Sequence, residues 1–490
     1  MKKQTLLTLL MIVTIALAAC SPSSSATPTT APAAATATSA PAATNTSAPA
    51  ATATTAPAAA TATSAPAAPA TATVAPTSAA TATATLPPTI TPAANAIQIN
   101  FWHGQSGFQG QVLNNLVNQF NSTHPDIFVT ATFQGTYSDL YNKVTAAIAG
   151  GAPPDMAVAY QNDVSNYIAN DAVIPLDSLM KDPKIGFTAA DMKDIYPSFI
   201  DHYPQSNNQV YSLAFMRSME VMYYNADMLK AAGFNTPPTN WNDFLKVCAA
   251  VSKPPDTYCY EMNTDASRFS NWLWSRGGTL LSADSKTVAF NSQAGLDTMN
   301  FINTMFQKKY AIVIAKAFQD QTDFSLGKIA FTFGSTAGLP YYKTAINQAG
   351  KVTNWGIAPG PHTTPNPVVD TYGPSVTIFK TTTAKEQAAF TFLKWLMDTG
   401  PNSTWVKATS YFPARQSTKA ALADFISKNP LYGQAFDWLQ YGKQEPTVAA
   451  WNPIRGFIAD AMTAVANGTA SPQDALNTAA TKANAALAGQ

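Results

Sequence analysis

The sequence predicts an α/β fold divided into two folding units, preceded by a long segment with no fold of its own. Three observations carry that prediction. Every charged side chain except Lys2 and Lys3 lies beyond residue 95, so the globular part starts near Ala96 and keeps enough chain for two hydrophobic cores. Beyond that point, apolar runs with strand spacing alternate with runs of helical spacing, the order that builds a sheet with parallel neighbours. Breaks rich in Gly and Pro, such as Gly150-Gly151-Ala152-Pro153-Pro154, separate the runs.

Taken in order, Ile97-Gln98-Ile99-Asn100-Phe101-Trp102 alternates and meets His103-Gly104, a strand ending in a turn. Val112, Leu116, Val117 and Phe120 keep helical spacing as far as His124-Pro125. Residues 127–133 read as a second strand, 140–149 as a helix and 156–160 as a third strand. In open α/β sheets ligands bind beyond the carboxyl ends of the strands, which directs attention to Trp102, His103, Tyr137 and Gln161. The later part repeats this less regularly. Residues 221–225 read as a strand and 226–232 as a short helix. A further helix enters at Trp241, capped by Thr239 or Asn240 with Asp243 in its first turn. Residues 329–333 and 376–379 are apolar strands, 386–397 is an amphipathic helix, and the last 40 residues are mostly Ala-rich helix.

Composition excludes several function classes. The formal net charge is +1, so no basic excess exists to neutralise phosphates and no nucleic-acid partner is expected. The 3 cysteines exclude a disulfide-dense scaffold and a Cys-rich metal module; no metal and no cofactor are expected.

The N-terminus reads as an address. Lys2 and Lys3 precede an apolar run from Leu6 to Ala19, too short to span a bilayer comfortably but suited to an export signal. Its end, Leu17-Ala18-Ala19-Cys20, looks like a bacterial lipobox, which implies that residues 1–20 are a lipoprotein signal and that Cys20 carries a lipid. The expected location is therefore the extracellular face of the cytoplasmic membrane. Residues 21–95, almost wholly Ala, Thr, Pro and Ser, cannot bury enough apolar surface to offset their ordering entropy and read as a disordered spacer.

Segments along residues 97–490 then meet a known pattern. FWHGQSG (101–107), QFNSTHPDI (119–127), GGAPPDMAVAY (150–160), EVMYYNADMLKAAGF (220–234), PPTNWNDFLKV (237–247), GKIAFTFGSTAG (327–338), WGIAPGP (355–361), ATSYFPAR (408–415) and NGTASPQDALNTAATKANAAL (467–487) stand in sequence order. Together they resemble the family 1 extracellular solute-binding proteins of ABC importers, with the glycerol-3-phosphate-binding type as the nearest pattern. The resemblance implies a two-lobed, type II periplasmic-binding-protein-like fold closing by a hinge. One lobe would hold roughly residues 96–213 and 367–410, the other 214–366 and 411–490. It also implies a small-molecule solute (a sugar, oligosaccharide or glycerol-3-phosphate-like polyol) and a permease as partners, with the chain itself monomeric.

The resemblance points to particular residues. An aromatic side chain from the Trp272/Trp274 segment would stack on the solute, unless both are core. Arg455 matches an arginine that takes a phosphate in the relative; Gly373 and Tyr411 match cleft positions. Gln161 stands where the relative has a carboxylate, and this departure, together with Arg217 and Met219-Glu220, puts glycerol 3-phosphate itself in doubt. Read from the residues alone, Tyr137 sits at a strand-to-helix turn, and Ser335 with Thr336 is either a contact or a helix cap. Arg217 and Ser218 lie at the lobe crossing, and His103 is a contact or a hydrogen-bonded strand end. Cys248 and Cys259 either close a short disulfide or stay free thiols. No catalytic residues are expected. A secreted carbohydrate-active hydrolase is the alternative, needing two carboxylates about 5–10 Å apart; neither HExxH nor GxSxG occurs. A stalked adhesin suits the spacer but not the α/β order.

Overall fold

The computed structural model of the chain describes residues 90–316 and 318–489. The expected export signal, Cys20 and residues 21–89 of the expected spacer lie outside the described residues. The chain first lays down β1 (Ile97–His103), β2 (Ile127–Phe133), β3 (Met156–Ala159), β4 (Ile200–Tyr203) and β5 (Gln209–Leu213). It crosses over at residues 214–217 and adds β6 (Ser218–Asn225), β7 (Tyr258–Met262), β8 (Ala311–Val313), β9 (Ile329–Ser335), β10 (Trp355–Ala358) and β11 (Val369–Tyr372). It then returns as β12 (Ser375–Ile378) and later contributes β13 (Gly442–Lys443).

Two sheets result, one per lobe. The first runs β2-β1-β3-β12-β5-β4; the second runs β13-β11-β6-β9-β7-β8, with β10 also on β6. As the strand–helix–strand order requires, β1 lies parallel to both β2 and β3. By contrast β12 is antiparallel to β3 and β5, because it enters from the opposite lobe. Each of the expected strands at 97–102, 127–133, 156–160, 221–225, 329–333 and 376–379 is present within two or three residues of its expected ends.

Local chemistry sets the elements that matter for the cleft. The helix Tyr137–Ala149 opens with a capping box, in which Thr136 Oγ1 accepts from the Asp139 amide at 3.2 Å and the Asp139 carboxylate accepts from the Thr136 amide at 2.9 Å. The helix Trp241–Val251 starts as expected from Asn240, whose Oδ1 accepts from the Asp243 amide at 2.9 Å. Cys248 on that helix is disulfide-bonded to Cys259 on β7, with 4.8 Å between their Cα atoms.

Apolar side chains collect under each sheet. Under the first, Phe101, Phe120 and Phe392 meet edge to face, with Phe120 and Phe392 4.9 Å apart. Under the second, Trp241, Phe244, Trp272, Phe301 and Phe333 form an aromatic cluster.

The lobe boundaries need correction in two places. Residues 367–372 do not belong with the first lobe, because β11 pairs with β6 and β13 in the second sheet; the return crossing is at Gly373-Pro374. Residues 411–441 do not belong with the second lobe. Arg415 pairs with Asp191 at 2.6 Å and Asp398 at 2.8 Å, the Tyr196 amide donates to Ala414 O at 3.0 Å, and Phe436 packs on Tyr196. The final crossing therefore lies at Gly442, just before the two Ala-rich helices Trp451–Ala466 and Pro472–Ala488.

Candidate functional site

Between the lobes lies a cavity of about 1270 Å³. Strand ends and helix starts build its walls. Beyond β3, Tyr160 is the N-cap residue of the helix Gln161–Ala169, so the end of β3 delivers Tyr160, Gln161 and Asn162. From the second sheet come Glu220 on β6, Gly334 and Ser335 on β9, and Thr371 and Tyr372 on β11. Asp265, Ser267 and Arg268 come from the start of the helix Ala266–Trp274, and Asn452 and Arg455 from the helix Trp451–Ala466.

Aromatic rings dominate the apolar part. Tyr160, Tyr372 and Tyr411 line the cavity half-buried. At the rim, Phe318 is 76 % exposed and Tyr341 62 % exposed, an unusual concentration of bare aromatic surface. Burial raises the hydroxyl pKa of Tyr160, Tyr372 and Tyr411, so all three stay neutral and can both donate and accept hydrogen bonds.

Four carboxylates (Glu220, Asp265, Asp320, Glu445) and three cations (Arg268, Lys316, Arg455) line the cavity among the described residues. The guanidiniums are already committed. Arg268 Nη1 lies 2.9 Å from Glu220 Oε2, while its Nη2 donates to Phe333 O at 2.7 Å. Arg455 pairs through Nη2 with Asp265 Oδ1 at 3.0 Å and through Nη1 with Glu445 Oε2. Behind this group Asp370 is fully buried, and desolvation together with Glu445 and Glu220 pushes its carboxyl well above the usual range. Across the lobes, Asn452 Nδ2 donates to Asp163 Oδ1 at 3.0 Å, and burial lifts the Asp163 carboxyl to about 6.

Of the residues expected from the sequence, Gln161, Ser335, Gly373, Tyr411 and Arg455 line this cavity. Gln161, with its amide oxygen turned towards Arg217, accepts from Nη1 at 2.8 Å and Nη2 at 2.9 Å. Gly373 has φ 132°, and a Cβ there would stand 3.4 Å from Met216 O. Ser335 Oγ accepts from the Ala337 amide at 3.1 Å, so the cap reading holds for the same residue that faces the cleft. Thr336 is buried and accepts from the Met219 amide. Tyr137 stands one layer behind, its hydroxyl accepting from Gln105 Nε2 at 2.6 Å and its ring 5.1 Å from Tyr160.

Besides Tyr137, five expected residues do not line the cavity. Arg217 is wholly buried and serves as a structural hub, bonded to Asp201 Oδ1 at 2.7 Å, Ser375 Oγ at 2.9 Å, Ser198 O at 3.2 Å and Gly373 O. Ser218 is buried and donates to Tyr372 O. His103 is a hydrogen-bonded strand end: Nδ1 accepts from the Gln105 amide at 3.2 Å, and desolvation lowers its pKa to about 4, so the ring is neutral. Neither tryptophan offers a platform here. Their segment is helical, which sets Trp272 in the aromatic core against Trp241 and Phe333 and turns Trp274 towards a separate hollow beside Leu280.

The platforms that do line the cavity, Tyr160, Tyr372 and Tyr341, and the acids Asp265 and Glu445 are missed by the sequence reading. A signal existed for Asp265: Asn263-Thr264-Asp265 follows the carboxyl end of β7. Glu261, buried within that strand and raised to about 7 by desolvation and the nearby Asp323 and Asp320, breaks the apolar pattern that identifies a strand.

Comparisons with known proteins agree with this geometry. The sequence profile of the bacterial extracellular solute-binding proteins matches residues 106–402. The sn-glycerol-3-phosphate-binding periplasmic protein UgpB of Shigella dysenteriae is 24 % identical over 421 residues, covering 79 % of this chain and 92 % of that one. Its counterpart in Rhizobium meliloti is 23 % identical, covering 81 % and 95 %. In fold, the chain is similar to the cyclic α-maltosyl-1,6-maltose-binding protein of Arthrobacter globiformis (TM-score 0.71, 19 % identity, 81 % of this chain and 100 % of that one). It is also similar to UgpB of Mycobacterium tuberculosis in complex with glycerophosphocholine (TM-score 0.68, 20 % identity, 80 % and 99 %). With two lobes around a tyrosine-lined cleft and a profile match over more than half its length, the chain belongs to the bacterial extracellular solute-binding proteins.

Proposed function

We propose that this protein captures a polyhydroxylated solute, a sugar or oligosaccharide or related polyol, by closing its two lobes, and delivers it to an ABC permease from a lipid anchor at Cys20. The observation that carries the reading is the cavity between the lobes, where half-buried tyrosines stand beside Gln161, Asn162 and Ser335. Such rings fit the apolar C–H faces of sugars while short polar groups meet the hydroxyls. Its volume of about 1270 Å³, above the roughly 300–1000 Å³ of ordinary small-ligand pockets, leaves room for a multi-ring solute. The reading is supported by the ligands of similar proteins, which include cyclic α-maltosyl-1,6-maltose and glycerophosphocholine. No chemistry on the solute is part of it. Closure is a two-state equilibrium that the solute biases by its extra contacts in the closed form.

A melting screen of the purified protein against sugars, oligosaccharides, polyols and glycerol phosphates is expected to give a concentration-dependent rise with at least one of the uncharged compounds, as binding to the folded state alone requires. Product analysis of the same mixtures should find the compound unchanged. Appreciable turnover would replace this reading with the hydrolase.

A further inference from the structure

From the geometry around Arg455 we infer that Asp265 and Glu445 form a clamp that makes this cleft reject anionic solutes, so that the solute it takes is uncharged; this rests on the reading of the cleft as the solute site. A guanidinium facing a ligand cavity is normally the group that takes a phosphate or carboxylate, because its fork matches two oxygens. Arg455 has that position, with its side chain 30 % exposed and lining the cavity. Each terminal nitrogen of its fork already faces a carboxylate, and three of its five N–H donors are in use. Nη2 is held by Asp265 Oδ1 at 3.0 Å; Nη1 is held by Glu445 Oε2 and also donates to Ser267 Oγ at 3.0 Å.

The acids are themselves fixed. Glu445 accepts from Trp451 Nε1 at 2.6 Å and from Ser267 Oγ at 2.7 Å, and Asp265 caps its helix by accepting from the Ser267 amide at 2.7 Å. An arriving phosphate would therefore meet two anchored carboxylates for one guanidinium. It would have to share the guanidinium with both acids and stand beside them, a like-charge contact made costly by the low dielectric of a closing cleft. The other cations do not reverse the balance, since Arg268 is matched to Glu220 at 2.9 Å and, with the exposed Lys316 counted, the described lining still sets four carboxylates against three cations. An uncharged hydroxyl, by contrast, can accept from or donate to this network without disturbing its charge balance.

The test uses calorimetric titration of the full-length protein with glycerol 3-phosphate at low ionic strength. The wild type should show no binding in the millimolar range. The double variant D265N/E445Q keeps both the helix cap and the Trp451 acceptor but unloads Arg455. It should bind the phosphate at least tenfold more tightly, with the gain screened away by salt and abolished by adding R455M. A folded double variant that binds phosphate no better than the wild type overturns the clamp, as does a gain that survives R455M or a wild type that already binds as tightly as the variant. If the double variant does not fold, D265N alone carries the test: the Asp265 side chain is 43 % exposed, and a gain of about threefold is expected, its absence counting against the clamp. A wild type that takes up no uncharged solute while the variant gains phosphate leaves the clamp standing and removes the proposed function instead.

Discussion

Arg217→Met should lower the free energy of unfolding by about 3–5 kcal/mol, the usual cost of removing one partner from a fully buried ion pair. The side chains of Arg217 and Asp201 are both 0 % exposed. Once the guanidinium is gone, Asp201 keeps only hydroxyl and amide donors from Ser212, Ser375 and Gln444, which do not balance a desolvated charge. The loss should exceed that of an ordinary core truncation for a second reason. Arg217 joins the first crossing to the return crossing, through Gly373 O and Ser375, and to the first lobe through Ser198 O. Chemical denaturation of Arg217→Met, Asp201→Asn and the double variant checks this. The double variant should recover part of the loss, because replacing both partners leaves no stranded charge. Strictly additive losses would show that the two side chains act separately.

Removal of the Cys248–Cys259 disulfide should cost about 3 kcal/mol, from the unfolded-chain entropy that a bridge across a sequence separation of 11 suppresses. The bond ties the helix Trp241–Val251 to β7, inside the aromatic core of the second lobe, and both cysteines are wholly buried. The paired Cys248→Ala and Cys259→Ala substitutions, and separately a reducing agent acting on the wild type, should shift the denaturation midpoint to a similar extent. A shift below about 1 kcal/mol would show that helix–sheet packing alone fixes this corner.

Much of the fold was legible because its strands declare themselves. Ile97 to Trp102 alternates and 329–333 is a plain apolar run, so these positions followed from period and from the breaks around them. What escaped was the part where a buried charge interrupts the period. Glu261 in β7 hides a strand, and with it the loop that brings Asp265 to the cleft. The lobe boundaries failed for a related reason: β11 and β12 are four-residue strands two residues apart that belong to different sheets, and nothing in a short apolar run says which sheet will receive it.

The site was legible in part. Resemblance placed Gly373, Tyr411 and Arg455 on the cavity wall, where they are found. It did not reveal what Arg455 faces, because Asp265 lies 190 residues from it in sequence and only the fold joins them. Arg217 misled for the opposite reason: an arginine at a lobe crossing is as well suited to holding the crossing together as to holding a ligand, and the carboxylate that decides the matter, Asp201, comes from β4, a strand too short and mixed in polarity to stand out.

The tyrosine-lined cavity between the lobes is the proposed seat of an uncharged polyhydroxylated solute. Isothermal titration of that solute, once the melting screen has identified it, into the wild type and into Tyr160→Ala/Tyr411→Ala is the most direct measurement. The wild type should take one solute per chain and the variant should bind at least a hundredfold more weakly, since two platforms each worth about 1.5 kcal/mol beyond their area are lost together with that area. Equal affinity in a folded variant would mean that the solute binds elsewhere.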